Sequence, residues 1–401
     1  MKRVTFIVVL TAVFTLGLAA CQTTPAGPPI EDEGGVIAIE PGAPIRIGVN
    51  TVTSGQGVDI FGINELRAAE IAVADYGQIA GRDIEIVAED TLCSAEGGQT
   101  VASKTVSDET IVAVMGHTCS SSCEPAAGIY EEASYTMVSP SCTAGALTAS
   151  DAPRSFMRTA FNDNFQGEAA AQFAFNELGA RSIATISDGS PYADGLAEVF
   201  SATFEGLGGT VITREAVNVG DTDMRPVLTT IAADAPDLIY MPIFPAEAGF
   251  IASQAVEVEG LEGTILMGAD GINAESFIEA AGDAAEGVYA SGPSAELSDA
   301  YNAFLETYVA EYGEEPPAPF APESYDAMTL ILQAIEEVAV EGNDGTLYIG
   351  RTALREAMYG TSGLQGISGE ITCDEVGDCS TASVEFVVVE GGAFVPAPEA
   401  E

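Results

Sequence analysis

From Ile45 onward the chain alternates short apolar runs with amphipathic stretches, and this alternation constrains the fold more than any other feature. IRIGVN (45–50), IVAVMG (111–116), YTMVSP (135–140), SIATIS (182–187), DLIYMPI (237–243) and TILMG (264–268) have the length of strands rather than helices, while DIEIVAED (83–90) and TVITREAV (210–217) alternate with period two. Between the first two runs, INELRAAEIAVADYG (63–77) carries Leu66, Ala69, Ile71, Val73 and Ala74 at helical spacing. Similar patterns predict helices over 101–108, 124–133, 166–178, 193–206, 224–233 and 246–257. Strands alternating with helices give an α/β fold, with parallel sheets covered by helices. No repeat of 20–50 residues is visible, which excludes a solenoid.

In open parallel sheets, ligands bind beyond the carboxyl ends of the strands. That rule selects TVTSGQG (51–57), GHTCSSSCEP (116–125) and SPSCTAGALT (139–148) in the first half, and SDGSPYADG (187–195), PIFPAEAG (242–249) and GADGIN (268–273) in the second. All are rich in Gly, Ser, Pro or Asp. About 350 residues carry this pattern, more than one hydrophobic core usually serves. Two lobes with their loops facing across a cleft are the geometry of a binding protein.

The N-terminus is an export address. Lys2 and Arg3 precede the apolar TFIVVLTAVFTLGL (5–18), and small residues lead to Cys21. LAAC (18–21) looks like a bacterial lipobox, so 1–20 is expected to be a lipoprotein signal peptide and Cys21 the lipidated residue. The Pro-, Gly- and acid-rich segment 21–44 is expected to be a disordered tether, with folded structure beginning at Ile45. No second apolar run is long enough to span a bilayer, so the expected membrane contact is the lipid anchor alone, on the periplasmic or cell-surface face of a bacterial membrane.

Sixty-one acidic residues against 13 basic ones, a net charge of −48, disfavour nucleic acid and anionic lipid headgroups as partners. Acid spread along the whole chain, with Lys2 and Lys104 the only lysines, suggests adaptation to salty surroundings. Beyond Cys21 the cysteines number six, which in an exported chain points to disulfides.

GHTCSSSCEP holds His117, the only histidine, with Cys119 and Cys123. The spacing fits no familiar zinc pattern, the cysteines are one residue too far apart for the usual redox C-x-x-C, and Walker or dinucleotide glycine motifs are absent. No metal or cofactor is expected. The serines before Glu124-Pro125 instead resemble a helix start, whose free N–H groups attract a carboxylate, with the Ser120 or Ser121 hydroxyl adding a hydrogen bond.

The ordered set D90-T-L-C93, G116-H-T-C-S-S-S, V138-S-P-S-C-T-A-G-A-L-T148, R158-T159, Q166-G167, Y192-A-D-G-L-A and M267-G-A-D-G271 resembles the Leu/Ile/Val-binding proteins. These are type I periplasmic solute-binding proteins of branched-chain amino-acid ABC importers, and the resemblance runs from Ile45 to about Val389. It implies two Rossmann-like lobes joined by a three-crossing hinge. Here the expected division is 45–161 plus 289–361, and 162–288 plus 362–395.

The resemblance also implies roles. Ser120 and Thr143 take the ligand carboxylate, the backbone at Ser141 and the acid Asp270 take the ammonium, Tyr192 closes over the ligand, and Phe61 lines the side-chain pocket. Three positions depart from the family: Asp270 stands where Glu is common, Phe244 where Tyr is common, and Ser141 where the family has the smaller alanine. Phe61 and Phe244 read equally well as structural aromatics. The family pairs the equivalents of Cys93 and Cys119; the resemblance then implies that Cys123 and Cys142, on the two loops that hold the ligand, lie close enough to pair, and that Cys373 and Cys379 close a small loop near the C-terminus. The function so implied is capture of a small amino-acid-type ligand, without chemistry, and delivery to a membrane permease. The alternatives are a sensor of amides or other small polar ligands on the same fold, or an exported thiol-redox enzyme using Cys119 and Cys123.

Overall fold

In the computed structural model, which describes residues 29–55, 57–294, 298–380 and 383–398, the strands sort into two main sheets. The chain opens with β1 (Val36–Ile39) and builds the first sheet from β2 (Ile45–Thr51), β3 (Gln78–Ile79), β4 (Arg82–Asp90), β5 (Ile111–Gly116), β6 (Met137–Ser139) and β7 (Phe156–Arg158). Their spatial order is β3-β4-β2-β5-β6-β7, parallel except for the β3–β4 hairpin. Helices α1 (Asp59–Tyr76), α2 (Ala95–Ser107) and α3 (Ser120–Glu132) make the crossovers. Central β2 is covered on both faces, so Ile45, Ile47 and Val49 are fully buried, as are Asn50 and Thr51 at its carboxyl end.

The second sheet repeats the plan with β8 (Ser182–Ser187), β9 (Thr210–Ala216), β10 (Leu238–Tyr240), β11 (Ile265–Met267) and β12 (Tyr289–Pro293). Its helices are α4 (Asp163–Asn176), α5 (Pro191–Gly206), α6 (Arg225–Ala232), α7 (Pro245–Ala255) and α8 (Glu275–Ala281). Both parallel sheets run 2-1-3-4-5 in order of chain entry, so each has a switch point beside its first strand, where loops diverge and leave a crevice.

The chain then returns to the first lobe through α9 (Asp299–Tyr312) and α10 (Ala321–Val338), the latter lying along α1. There β13 (Val340–Glu341) and β14 (Leu347–Gly350) form a small sheet with β1, followed by α11 (Arg351–Tyr359) and the hairpin β15 (Leu364–Gln365) and β16 (Glu370–Ile371). Antiparallel β17 (Val384–Glu390) and β18 (Ala393–Pro396) complete the second sheet. Three chain crossings therefore join the lobes. No helix of the described residues is long and apolar enough to cross a membrane.

Three boundary expectations are corrected. Residues 36–39 are not tether: Val36–Ile39 pairs with β14, and Ile37 and Ile39 are buried in the first core. Tyr289–Pro293, expected in the first lobe, is the fifth parallel strand of the second sheet. Residues 364–379, expected in the second lobe, pack on the first: Ile367 lies against α1, α9 and α10, while Ile371 and Cys379 join its main core. The signal peptide and Cys21 lie outside the described residues.

The structure bonds Cys93 to Cys119, Cys123 to Cys142, and Cys373 to Cys379. Cys119 and Cys123 thus have different partners, which removes the redox dithiol.

Candidate functional site

Loops at the carboxyl ends of both sheets meet over one small cavity. From the first lobe come Phe61 on α1, Thr118 and Ser120 after β5, Ser141 after β6, and Phe320 at the start of α10; from the second come Tyr192 on α5, Phe244 before α7, and Asp270 after β11. Six of the seven residues singled out from the sequence therefore share this cavity. Thr143 does not line it. Its hydroxyl lies near the buried Asp163 carboxyl and offsets part of that group's raised pKa, but neither side chain has a hydrogen-bond partner among the described residues.

The first-lobe wall depends on two close backbone approaches. A Cβ at Gly62 would sit 1.9 Å from the Val52 carbonyl oxygen, so glycine lets α1 lie against the loop after β2 and seat Phe61. Gly116 has φ +119, and a Cβ there would meet the Asn50 oxygen at 2.2 Å. Beyond it α3 begins earlier than expected: Cys119 is the N-cap, Ser120 the first helical residue, and Pro125 lies inside the helix rather than in its first turn. The hydroxyl of Ser121 is spent on the Cys93 carbonyl (2.8 Å), while Ser120 Oγ accepts from the Ala144 N–H (3.2 Å). Ser120 therefore keeps its own O–H, together with its place at a helix N-terminus, for an anion.

Beneath these loops lies Glu65, a residue the sequence did not mark because it sits in an ordinary amphipathic helix. Thr118 donates to Glu65 Oε2 (2.7 Å) and Ser141 to Oε1 (2.5 Å), and the Ser324 hydroxyl donates to the Glu65 carbonyl (2.7 Å). The buried carboxyl ties the loops after β5 and β6 to α1, and the main-chain carbonyl of the same residue ties α1 to α10. His117 is also buried. Its Nε2 meets the Tyr130 hydroxyl at 3.2 Å, and desolvation takes its pKa down to about 3, leaving a neutral packing residue.

On the opposite wall, Asp270 is 5 % exposed and its Oδ1 accepts from Gln166 Nε2 (2.8 Å) and Tyr192 Oη (3.1 Å). Gln166 also donates to Ser291 Oγ on β12, fixing the amide that holds the carboxylate. Tyr192 and Phe244 lie with ring centroids 5.6 Å apart, and Phe244 meets Phe61 of the other lobe edge-on at 6.3 Å. Among the described residues, no Lys, Arg or His lines this cavity. A larger cavity of about 330 Å³ lies behind Phe320, toward the chain crossings. The smaller one is the better candidate for the main ligand, since it lies at the carboxyl ends of both sheets and faces the N-terminus of α3 in one lobe with the Asp270 carboxylate of the other.

With this geometry in place, the comparison with known proteins is decisive: the family model described as periplasmic binding protein matches residues 44–392. The chain belongs to the periplasmic binding protein family. A relative from Pseudomonas aeruginosa, the leucine-, isoleucine-, valine-, threonine- and alanine-binding protein, is 30% identical over 315 residues, 78% of this chain and 80% of the relative. The crystal structure of a leucine binding protein from Thermotoga maritima superposes with TM-score 0.80 at 30% identity, covering 88% of this chain and 98% of that one. A branched-chain amino-acid transporter substrate-binding protein from Streptococcus pneumoniae, solved with isoleucine, gives 0.77 at 26% identity, covering 88% and 100%. The fold is the type I periplasmic binding protein fold, and the family works outside the cytoplasm.

This periplasmic binding protein buries several carboxyls. Desolvation raises Glu65 to about 7, Asp163 to about 8, Asp270 to about 6 and Glu323 to about 8, and the charge of Asp270 adds to the effect at Asp163. A carboxyl raised by folding binds protons more tightly in the folded state, so its stabilising share is lost as pH climbs through the raised value. His117, lowered by burial, acts in the opposite direction, but only up to its ordinary value of 6.5. Above that, the carboxyls govern. Unfolding free energy of the ligand-free protein should therefore fall between pH 6.5 and about 8.5, as read by urea titration. A flat or rising profile there would contradict the burial of these groups.

Proposed function

We propose that this protein captures an amino acid with an apolar side chain between its lobes, leaves it chemically unchanged, and delivers it to the membrane permease of an ABC importer. The observation that carries the reading is the cavity in which Ser120, at the N-terminus of α3, faces Asp270 and Tyr192 of the other lobe. A zwitterion needs an anion site and a cation partner a few ångströms apart, and charge-assisted hydrogen bonds at both strengthen as closure excludes water. Phe61 and Phe244 offer the side chain an apolar surface. The absence of a basic residue from the lining weighs against a dicarboxylate, whose second charge would be unpaired. An aromatic acid without an ammonium would leave Asp270 uncompensated in the same way.

The cavity measures only about 20 Å³, roughly the room of one water, so the lobes must part to admit an amino acid. Ligand then stabilises the closed arrangement over the open one. Export with a lipid at Cys21 would hold the protein beside its permease. With Cys119 and Cys123 bonded to other cysteines, there is no thiol pair to support redox catalysis.

A thermal-shift screen of the twenty amino acids, small amides and organic acids tests the reading. An apolar amino acid at about 100 times its Kd should add about 2.7 kcal/mol of stability. A shift with an amide or organic acid, and with no amino acid, would overturn it in favour of a sensor on the same fold.

A further inference from the structure

The cavity of about 330 Å³ behind Phe320 has a chemistry of its own. The first lobe contributes Tyr301 and the segment from Glu315 to Glu323; the second contributes Asn273 to Glu275, Glu385 and Phe394. Among the described residues, its lining includes four carboxylates, Glu275, Glu315, Glu323 and Glu385, and no Lys, Arg or His. Glu323 stands apart from the other three. It is 5 % exposed, it lines the cavity, and its Oε2 has no hydrogen-bond partner among the described residues. A buried, unpaired carboxylate oxygen is costly unless a partner arrives.

We infer that this cavity is a second ligand site, which takes a small organic amine carrying two ammonium groups. One ammonium would pair with Glu323 at the buried end, and the other with the exposed carboxylates at the rim. The class follows from the rest of the lining. Pro317, Pro319, Leu305 and Phe394 offer an apolar surface to a methylene chain but nothing to a bare metal ion. Nor do the described residues hold any group of three or more His, Cys, Asp or Glu side chains arranged to bind a metal. The site is distinct from the amino-acid cavity, from which Phe320 separates it by lining both. Because both lobes contribute walls, a bound diamine favours the closed arrangement. The burial that lifts Glu323 above the ordinary carboxyl range is reversed by an adjacent cation, so binding a diamine also ionises the group.

The test is calorimetric titration of the mature protein with 1,4-diaminobutane at low salt, beside n-butylamine, CaCl2, and NaCl at matched ionic strength. Saturable one-to-one binding of the diamine is expected, tighter than that of the monoamine and weakened as NaCl rises. Glu323→Gln should weaken it at least tenfold while leaving amino-acid affinity within about twofold. That variant removes the group that ionises beside the ammonium without changing shape, and thermal melting verifies its fold. Three results would each overturn the inference: no saturable heat with the diamine beyond that of NaCl, saturable Ca²⁺ binding without diamine binding, or equal diamine affinity in the folded Glu323→Gln protein.

Discussion

Asn in place of Asp270 should lower affinity for the amino-acid ligand by at least about 30-fold, from the roughly 2 kcal/mol or more that loss of one partner of a buried charge pair costs. Asn keeps the size of Asp and an oxygen able to accept from Gln166 and Tyr192, so the wall around it survives. What disappears is the negative charge opposite the ligand ammonium. The ligand-free protein should gain stability near neutral pH, because the replaced carboxylate is buried with its pKa raised to about 6 by desolvation. Affinity and stability thus move in opposite directions, which separates loss of a ligand contact from damage to the fold. The wild type should also bind more tightly as pH rises through about 6, where Asp270 ionises, and the Asp270→Asn protein should lose that dependence. Calorimetric titration at several pH values reads both effects. Unchanged affinity would move the ammonium contact to another group, with Asp163, whose carboxyl feels the Asp270 charge, the first acid to consider.

The alternation of strands and helices was legible because parallel strands buried on both faces leave continuous apolar runs such as IVAVMG, and all six of those residues are buried. Segments with local cues that pointed elsewhere were misread. VIAI at 36–39 is a four-residue strand set among prolines, glycines and acids, and its apolar character is diluted in any wider window. Pro125 drew the start of α3 too late, since proline favours the first turn; here it lies in the helix interior, where Ser121 also turns its hydroxyl to Cys93. Tyr289–Pro293 and residues 364–379 pack in the lobes opposite to those the sequence suggests, because a chain crossing leaves no periodic signal.

The candidate site was partly legible for a related reason. Ser120, Tyr192 and Asp270 stand at the helix or turn starts that follow strand ends, where polar residues are conspicuous. Glu65 lies in a helix among other polar residues, and only the fold reveals that it is fully buried and bonded to Thr118 and Ser141. Gln166 belongs to a helix in the same way, and its bond to Asp270 spans 104 residues of sequence.

The largest expected loss of stability comes from Arg158→Met. Arg158 is fully buried at the first chain crossing, and its guanidinium is divided among four partners: Asp378 Oδ1 (2.6 Å), the carbonyls of Cys142 (3.1 Å) and Ala144 (3.0 Å), and Thr148 Oγ1 (2.5 Å). Asp378 sits just before the third crossing and also accepts from Asn162 Nδ2 (2.8 Å), so one charged cluster holds two of the three connections between the lobes. Met fills similar volume but leaves both carbonyls without their Arg158 donor and Asp378 without its cation, with only the neutral donors Asn162 and Thr148 remaining to it. Breaking such a pair by removing one partner costs about 3–5 kcal/mol, a fall in Tm on the order of 4–7 °C for a folded chain of about 350 residues. Arg158→Lys keeps the charge without the planar fork that reaches several acceptors at once, and should fall between Met and wild type. Adding Asp378→Asn to the Met variant should recover part of the loss, because the stranded charge is removed with its partner. The Cys142 and Ala144 carbonyls flank Thr143 and follow Ser141, so the Met variant that still folds should also bind ligand less tightly. A Tm within about 1 °C of wild type would mean that this cluster contributes little to holding the lobes, and that the crossings are secured by the strand pairing of β7 and β17 instead.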